Sequence, residues 1–308
     1  MGSGLMHWRV GAGTLWPMNR SELRPLGVAE IVDVALKVYL KHALGLFKLV
    51  AIVVVPVQLV QLLFTLSIAP ATGSEATDAS TLAGFIFGGL LVGLLTFVAT
   101  TLATGACFKA VTDAYLGYQP DTSESLRFAR GRLGSLMLVS FIGALLTFLG
   151  FLLFVLPGIY LWIAFSVAAP VLLFEGVKGT GALGRSRRLV QGRWWPVFGT
   201  LLLGFILAAV VGGIITAILT GVLALGGGSG DFVEALVGAV AGSVAAIITT
   251  PFQAALIAIL FFDLKVRKEG FDVTLLAEGM GTSAPRGGPE ERRGIGSPAS
   301  APEPSARG

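Results

Sequence analysis

Between Arg132 and Glu175 the chain carries no charged side chain, a stretch of about 42 residues. A membrane-spanning helix uses about 20 mainly apolar residues to cross about 30 Å of hydrocarbon. The stretch is therefore too long for one ordinary crossing and the right length for two. Leu156-Pro157-Gly158 supplies the break, since proline disfavours helix in the residue before it and glycine accepts turn dihedrals; the motif predicts a tight hairpin. The composition agrees: 54% of the 308 residues are hydrophobic and 13% are charged, against about 25% charged in soluble domains. The expected fold is all-α, a polytopic integral membrane helical bundle.

Six segments have the length and apolarity of spans: 44–69, 82–106, 136 to the LPG motif, 159–174, 197–225 and 232–262. Their connections alternate in charge. The first–second connection holds Glu75 and Asp78, the LPG hairpin holds no charge, and the fifth–sixth holds Asp231 and Glu234; none contains a base. All 22 Lys and Arg fall at the start of span one or on the opposite set of connections and ends. Basic residues are retained on the cytoplasmic side during insertion, so both termini are expected to be cytoplasmic. Were the stretch from 136 to 174 a single crossing, the cluster at 185–193 would be carried outside, so the same rule selects six spans.

The basic connections are patterned. In VAEIVDVALKVYLKH, the residues Val28, Ile31, Val32, Ala35, Val38 and Tyr39 recur at helical spacing, with Glu30, Asp33, Lys37 and Lys41 mostly off that face, which predicts an amphipathic interfacial helix. SESLRFARGRLG and GALGRSRRLVQGRWW repeat the theme before spans three and five, giving three elbow helices. The third elbow gathers Arg185, Arg187, Arg188 and Arg193 beside Trp194 and Trp195. Arginines near an anionic surface attract phosphate headgroups and tryptophans settle at headgroup depth, so these six are the candidate contacts for membrane lipid or a protein partner. Residues 1–23 read as a disordered leader without a signal-peptide core, with Met18 as a possible alternative start, 24–277 as the membrane domain, and 278–308 as a disordered Gly/Pro/Ser-rich tail.

Signs of chemistry are sparse. The span centres lack Asp, Glu, Lys, Arg and His, the usual marks of ion or proton transport. His7 and His42 are the only histidines and Cys107 the only cysteine, so a histidine triad, an HExxH site and a cysteine-based metal cluster are not expected. No cofactor or catalytic residue is assigned. The bases flank apolar runs and form no aromatic-interleaved patch, which argues against nucleic acid. Gln58, Gln61 and Gln253 could line a pore, and Pro56, Pro170 and Pro251 could interrupt spans around it. Glu175 is placed to pair with an elbow arginine.

Taken in order, RPLGVAEIVDVALKVYLKH, LPGIYLWIAFSVAAPVLLFEG, GALGRSRRLVQGRWWPVFG and FFDLKVRKEGFDVTLLA resemble the bacterial glycerophosphoryl diester phosphodiesterase membrane domain family, especially its members from high-GC Gram-positive bacteria. The likeness covers about residues 24–277, with DLKVRKEGFD its most specific part. It implies a stand-alone multi-span domain in the bacterial inner (plasma) membrane, with no defined activity, and without the phosphodiesterase barrel found in some relatives. The expected function is a noncatalytic membrane protein binding lipid or a partner through a basic cytoplasmic collar; the alternative is a transporter or channel for a small solute or lipid.

Overall fold

The computed structural model describes residues 26–72, 79–225 and 230–269. Glu75, Asp78, the leader and the tail lie outside the described residues, so the readings placed on them find no counterpart here. The described chain is helical, without strands: α1 (Val28–Lys41), α2 (Ala43–Thr72), α3 (Ala79–Tyr115), α4 (Thr122–Leu153), α5 (Val155–Ala164), α6 (Ala168–Pro170) continued by a π-helical turn (Val171–Glu175), α7 (Thr180–Val190), α8 (Trp194–Leu225) and α9 (Asp231–Glu269). Six stretches are long and apolar enough to cross a membrane: Ala43–Ser67, Leu82–Tyr115, Thr122–Leu153, Val155–Glu175, Trp194–Val222 and Phe232–Lys268. The fold is an all-α polytopic bundle.

α9 is the central helix and packs against α1, α2, α3 and α8. Alanines at 254, 255 and 258 are buried in its basic half and let neighbouring helices approach. At Gly204 of α8 an added Cβ would overlap the Leu256 Cδ2 methyl of α9, so any larger residue there would force that side chain to move. The core gathers at the base-rich end, where Leu46, Leu49, Phe108, Val111, Ile259, Leu260 and Phe261 are fully buried. Toward the other end, large apolar side chains such as Leu63, Phe87, Leu91 and Val222 are exposed. That is the surface hydrocarbon would cover, and helices facing lipid need no apolar core to hide such side chains.

Two elbows are separate helices; the buried face of α1, with Ile31, Ala35 and Tyr39, matches the sequence pattern, and α7 buries Ala182, Leu183, Ser186, Leu189 and Val190. The second elbow is continuous with its span, forming the first turns of α4. Asp121 caps it, its Oδ1 accepting the Glu124 amide at 2.8 Å, and the helix propagates from that cap without proline, running through Gly131 and Gly134.

The third and fourth spans do reverse direction, but not at LPG. The chain turns at Phe154, whose backbone is extended (φ −161°, ψ 153°), and Pro157 lies in the first turn of α5. There its missing N–H removes no intrahelical bond. Gly150 and Gly158 bring the hairpin arms together: a Cβ on Gly150 would lie 3.1 Å from the Gly158 Cα.

Pro56 and Pro251 leave α2 and α9 unbroken, contrary to the expected interruptions. Near Pro251, the carbonyl of Ile248 accepts the Tyr39 hydroxyl at 3.0 Å, a bond that ties α1 to α9 beside the proline. The span containing Pro170 is broken, at Phe165–Val167. There the Ala168 amide donates to Phe165 at 3.0 Å instead of to Ala164. The released Ala164 carbonyl accepts the Ser186 hydroxyl of α7 at 2.7 Å, tying elbow to break.

Candidate functional site

The base-rich end is built around the last turns of α9, where the sequence DLKVRK follows Phe262. Each of its charges has a defined partner. Asp263 accepts the Leu26 amide at 2.7 Å and the Arg267 Nε at 2.8 Å, while Arg267 Nη2 donates to the Leu26 carbonyl at 2.6 Å. The segment entering α1 is thereby clamped to α9. Lys265 Nζ lies 3.4 Å from Glu175, which also receives Arg185 through Nε at 2.8 Å and Nη2 at 3.2 Å. Lys268 Nζ donates to the carbonyls of Arg188 (2.5 Å) and Gln191 (2.6 Å), satisfying acceptors that a helix C-terminus leaves open. The stretch is thus both the end of the last span and a lock holding α1, the π-turn and α7.

A further ion pair went unread in the sequence beyond its sign. Lys109 donates to Asp113 Oδ1 at 2.7 Å, with only 6% and 12% of the side chains exposed, and lies 3.4 Å from Glu124 at the start of α4. The i,i+4 spacing of Lys109 and Asp113 was the available signal. Its burial comes from α4 folding back beside α3, which spacing does not disclose.

The six candidate contact residues divide. Arg185 is half-buried and turned inward onto Glu175, a departure from its expected place on an open basic surface: at the junction of the π-turn and α7 a carboxylate is close enough to hold it. Arg187 and Arg188, in the last turn of α7, are exposed. The Arg187 guanidinium stands 6.0 Å from the centroid of the Tyr160 ring on α5. Arg193 borders a cavity of about 200 Å³ between α1, α8 and α9, shared with Thr200, Asp263 and Arg267. Trp194 stacks on Phe198 with centroids 5.4 Å apart, and its buried indole N–H has no hydrogen-bond partner. Trp195 is exposed. Glycines set the placement of α7: Gly176 and Gly179 adopt positive φ (69° and 60°) between the π-turn and its first residue, a geometry costly for other residues.

Beside α7 lies an open groove of about 520 Å³ between the α4–α5 hairpin and the α8–α9 pair. Its walls include Gly143, Phe148 and Trp162, with Leu183, Leu201 and Ile257 contributed by α7, α8 and α9. Ser166, at the break in the fourth span, also reaches it. Leu183 is one helical turn from Arg187, and Trp162 is two residues from Tyr160, so the arginine stands near one end of the groove.

The three glutamines do not converge. Gln58 packs near Gly242 of α9, and eleven residues, about 16 Å of helix, separate that level from Gln253. Gln61 and Gln253 are exposed. Among the described residues no cluster of three His, Cys, Asp or Glu side chains could hold a metal ion. Comparison with protein-family models, curated proteins and solved structures finds no match.

Proposed function

We propose that this chain is a noncatalytic multi-pass protein of a bacterial plasma membrane, with its basic end in the cytoplasm, that binds anionic phospholipid through α7. The observation carrying this reading is the division of charge at that end. Glu175 and Asp263 are occupied by Arg185, Lys265 and Arg267, whereas no carboxylate pairs with Arg187 or Arg188 among the described residues. Two exposed guanidiniums, that of Arg187 lying 6.0 Å from the Tyr160 ring centroid, suit a phosphate headgroup, which arginine can grip through two parallel hydrogen bonds. The noncatalytic part of the reading rests on the sparse inventory of His and Cys and on the inward pairing of Glu175. The bacterial setting rests on the family resemblance.

Native mass spectrometry of the gently solubilised protein tests this. Phosphatidylglycerol should be retained in preference to phosphatidylcholine, and R187Q/R188Q should remove the preference while leaving the fold intact. Equal retention of both lipids by the wild-type protein would overturn it.

A second reading, passage of a small solute or lipid, is favoured by the broken fourth span, since discontinuous helices often frame transport sites. It predicts solute or lipid flux in proteoliposomes that is abolished by bulky substitutions at Ala144 in the groove.

A further inference from the structure

The groove between the α4–α5 hairpin and the α8–α9 pair has a largely apolar lining, interrupted by Ser140, Thr147 and Ser166. About 520 Å³ falls within the roughly 300–1,000 Å³ of small-molecule pockets. Phe148 and Phe151 on α4 are both exposed (64% and 44%) and both line the groove, so it opens sideways on the apolar surface of the bundle, where an acyl chain can enter without leaving hydrocarbon. One helical turn along α7 from the groove-lining Leu183 stands Arg187, its guanidinium 6.0 Å from the Tyr160 ring centroid; Arg188 follows it in α7, and neither has a carboxylate partner among the described residues.

We propose that this groove is a lipid site that takes one acyl chain of an anionic phospholipid, whose phosphate is held by Arg187 and Arg188. The proposal rests on the lipid-binding reading given above and adds where the lipid sits and how it is chosen. Charge complementarity names the occupant: a neutral apolar helix of another protein would leave two guanidiniums unanswered, whereas a phosphodiester carries the opposite charge directly above an acyl chain. Ser140, Thr147 and Ser166 on the groove wall tolerate the chain because hydroxyls in spanning helices can bond to carbonyls of their own helix, as Ser166 does to Ile163 at 2.8 Å. The break in the fourth span has a matching role: its released Ala164 carbonyl anchors α7 through Ser186, the residue before Arg187.

Trp162 lines the groove and serves as the reporter. A full-length protein retaining Trp162 as its sole tryptophan (W8F/W16F/W194F/W195F) is reconstituted in vesicles containing phosphatidylglycerol or phosphatidylcholine with brominated acyl chains. Brominated phosphatidylglycerol should quench Trp162 at a lower mole fraction, by about five-fold for each arginine, the factor equivalent to about 1 kcal/mol per base at an anionic surface. R187Q/R188Q should equalise the two lipids, and A144F, which fills the groove, should protect Trp162 from both. Equal quenching by the two lipids in the parent protein, or no protection by A144F, overturns the proposal. If native mass spectrometry still shows retained phosphatidylglycerol in that event, the lipid-binding reading stands and the groove assignment alone falls. A second protein copy filling the groove would show as protection of Trp162 that disappears on dilution into excess lipid, which also overturns the proposal.

Discussion

Asp263 receives a backbone amide and a guanidinium at once, with 4% of its side chain exposed. Replacing it with Asn leaves Arg267 partly buried against a neutral amide, and breaking a buried pair by removing one partner costs about 3–5 kcal/mol. D263N should therefore lower the thermal unfolding midpoint markedly, and the double variant D263N/R267Q should recover part of the loss. Additive losses in that cycle would show that the two side chains act independently. His42, between α1 and α2, gives a pH signature of definite sign. Burial, and then Lys41, lower its pKa below the ordinary 6.5, so the folded state favours the neutral ring. Its contribution is complete above the unfolded-state value and is lost as pH falls from about 6.5 through the folded value. NMR of ring-labelled protein in an H7A background should place the His42 midpoint below 6.5, and H42Q should flatten the stability profile across that interval.

At the scale of elements, helix contacts depend on small residues and on a few bonds around irregular backbone. G204A places a methyl group on Leu256, and overpacking of this kind costs about 1–3 kcal/mol; a lowered unfolding midpoint with unchanged helicity checks it. Y39F removes the bond to Ile248 beside Pro251, and a cost of about 1 kcal/mol is expected. Such features also mark where sequence reading succeeds and stops. Spans were legible because an uninterrupted apolar run has few alternatives, and the face of α1 was legible from helical periodicity. The position of the hairpin turn was not, because Pro157 is compatible both with a turn and with the first turn of a helix. The pairing of Glu175 with an elbow arginine was legible, though not that the arginine is Arg185; nor was the inward role of DLKVRK, because a charge at a span end looks the same in sequence whether it meets a headgroup or, as Lys265 does, Glu175. The break at Phe165–Val167 was anticipated through Pro170, but its tie to Ser186 is a contact 22 residues apart in the chain, with no local signature.

For the whole molecule, the two ends differ in both packing and charge, and the difference bears on how the chain inserts. The basic end holds the ion pairs and most of the buried core, while the opposite end presents apolar helices and the acidic connection around Asp231 and Glu234. Translocating the arginines of α7 would strip charges of water across the entire hydrocarbon layer, an expensive step that acidic connections with few charges largely avoid. The basic end is accordingly expected to stay in the cytoplasm. Cys107 is fully buried, so a single introduced cysteine can report topology with little background, and C107A removes what remains. In intact cells a membrane-impermeant maleimide should label E234C at once and Q191C only after permeabilisation. Labelling of Q191C in intact cells, with E234C protected, would invert the bundle and place the α7 arginines opposite the leaflet from which the proposed lipid is drawn.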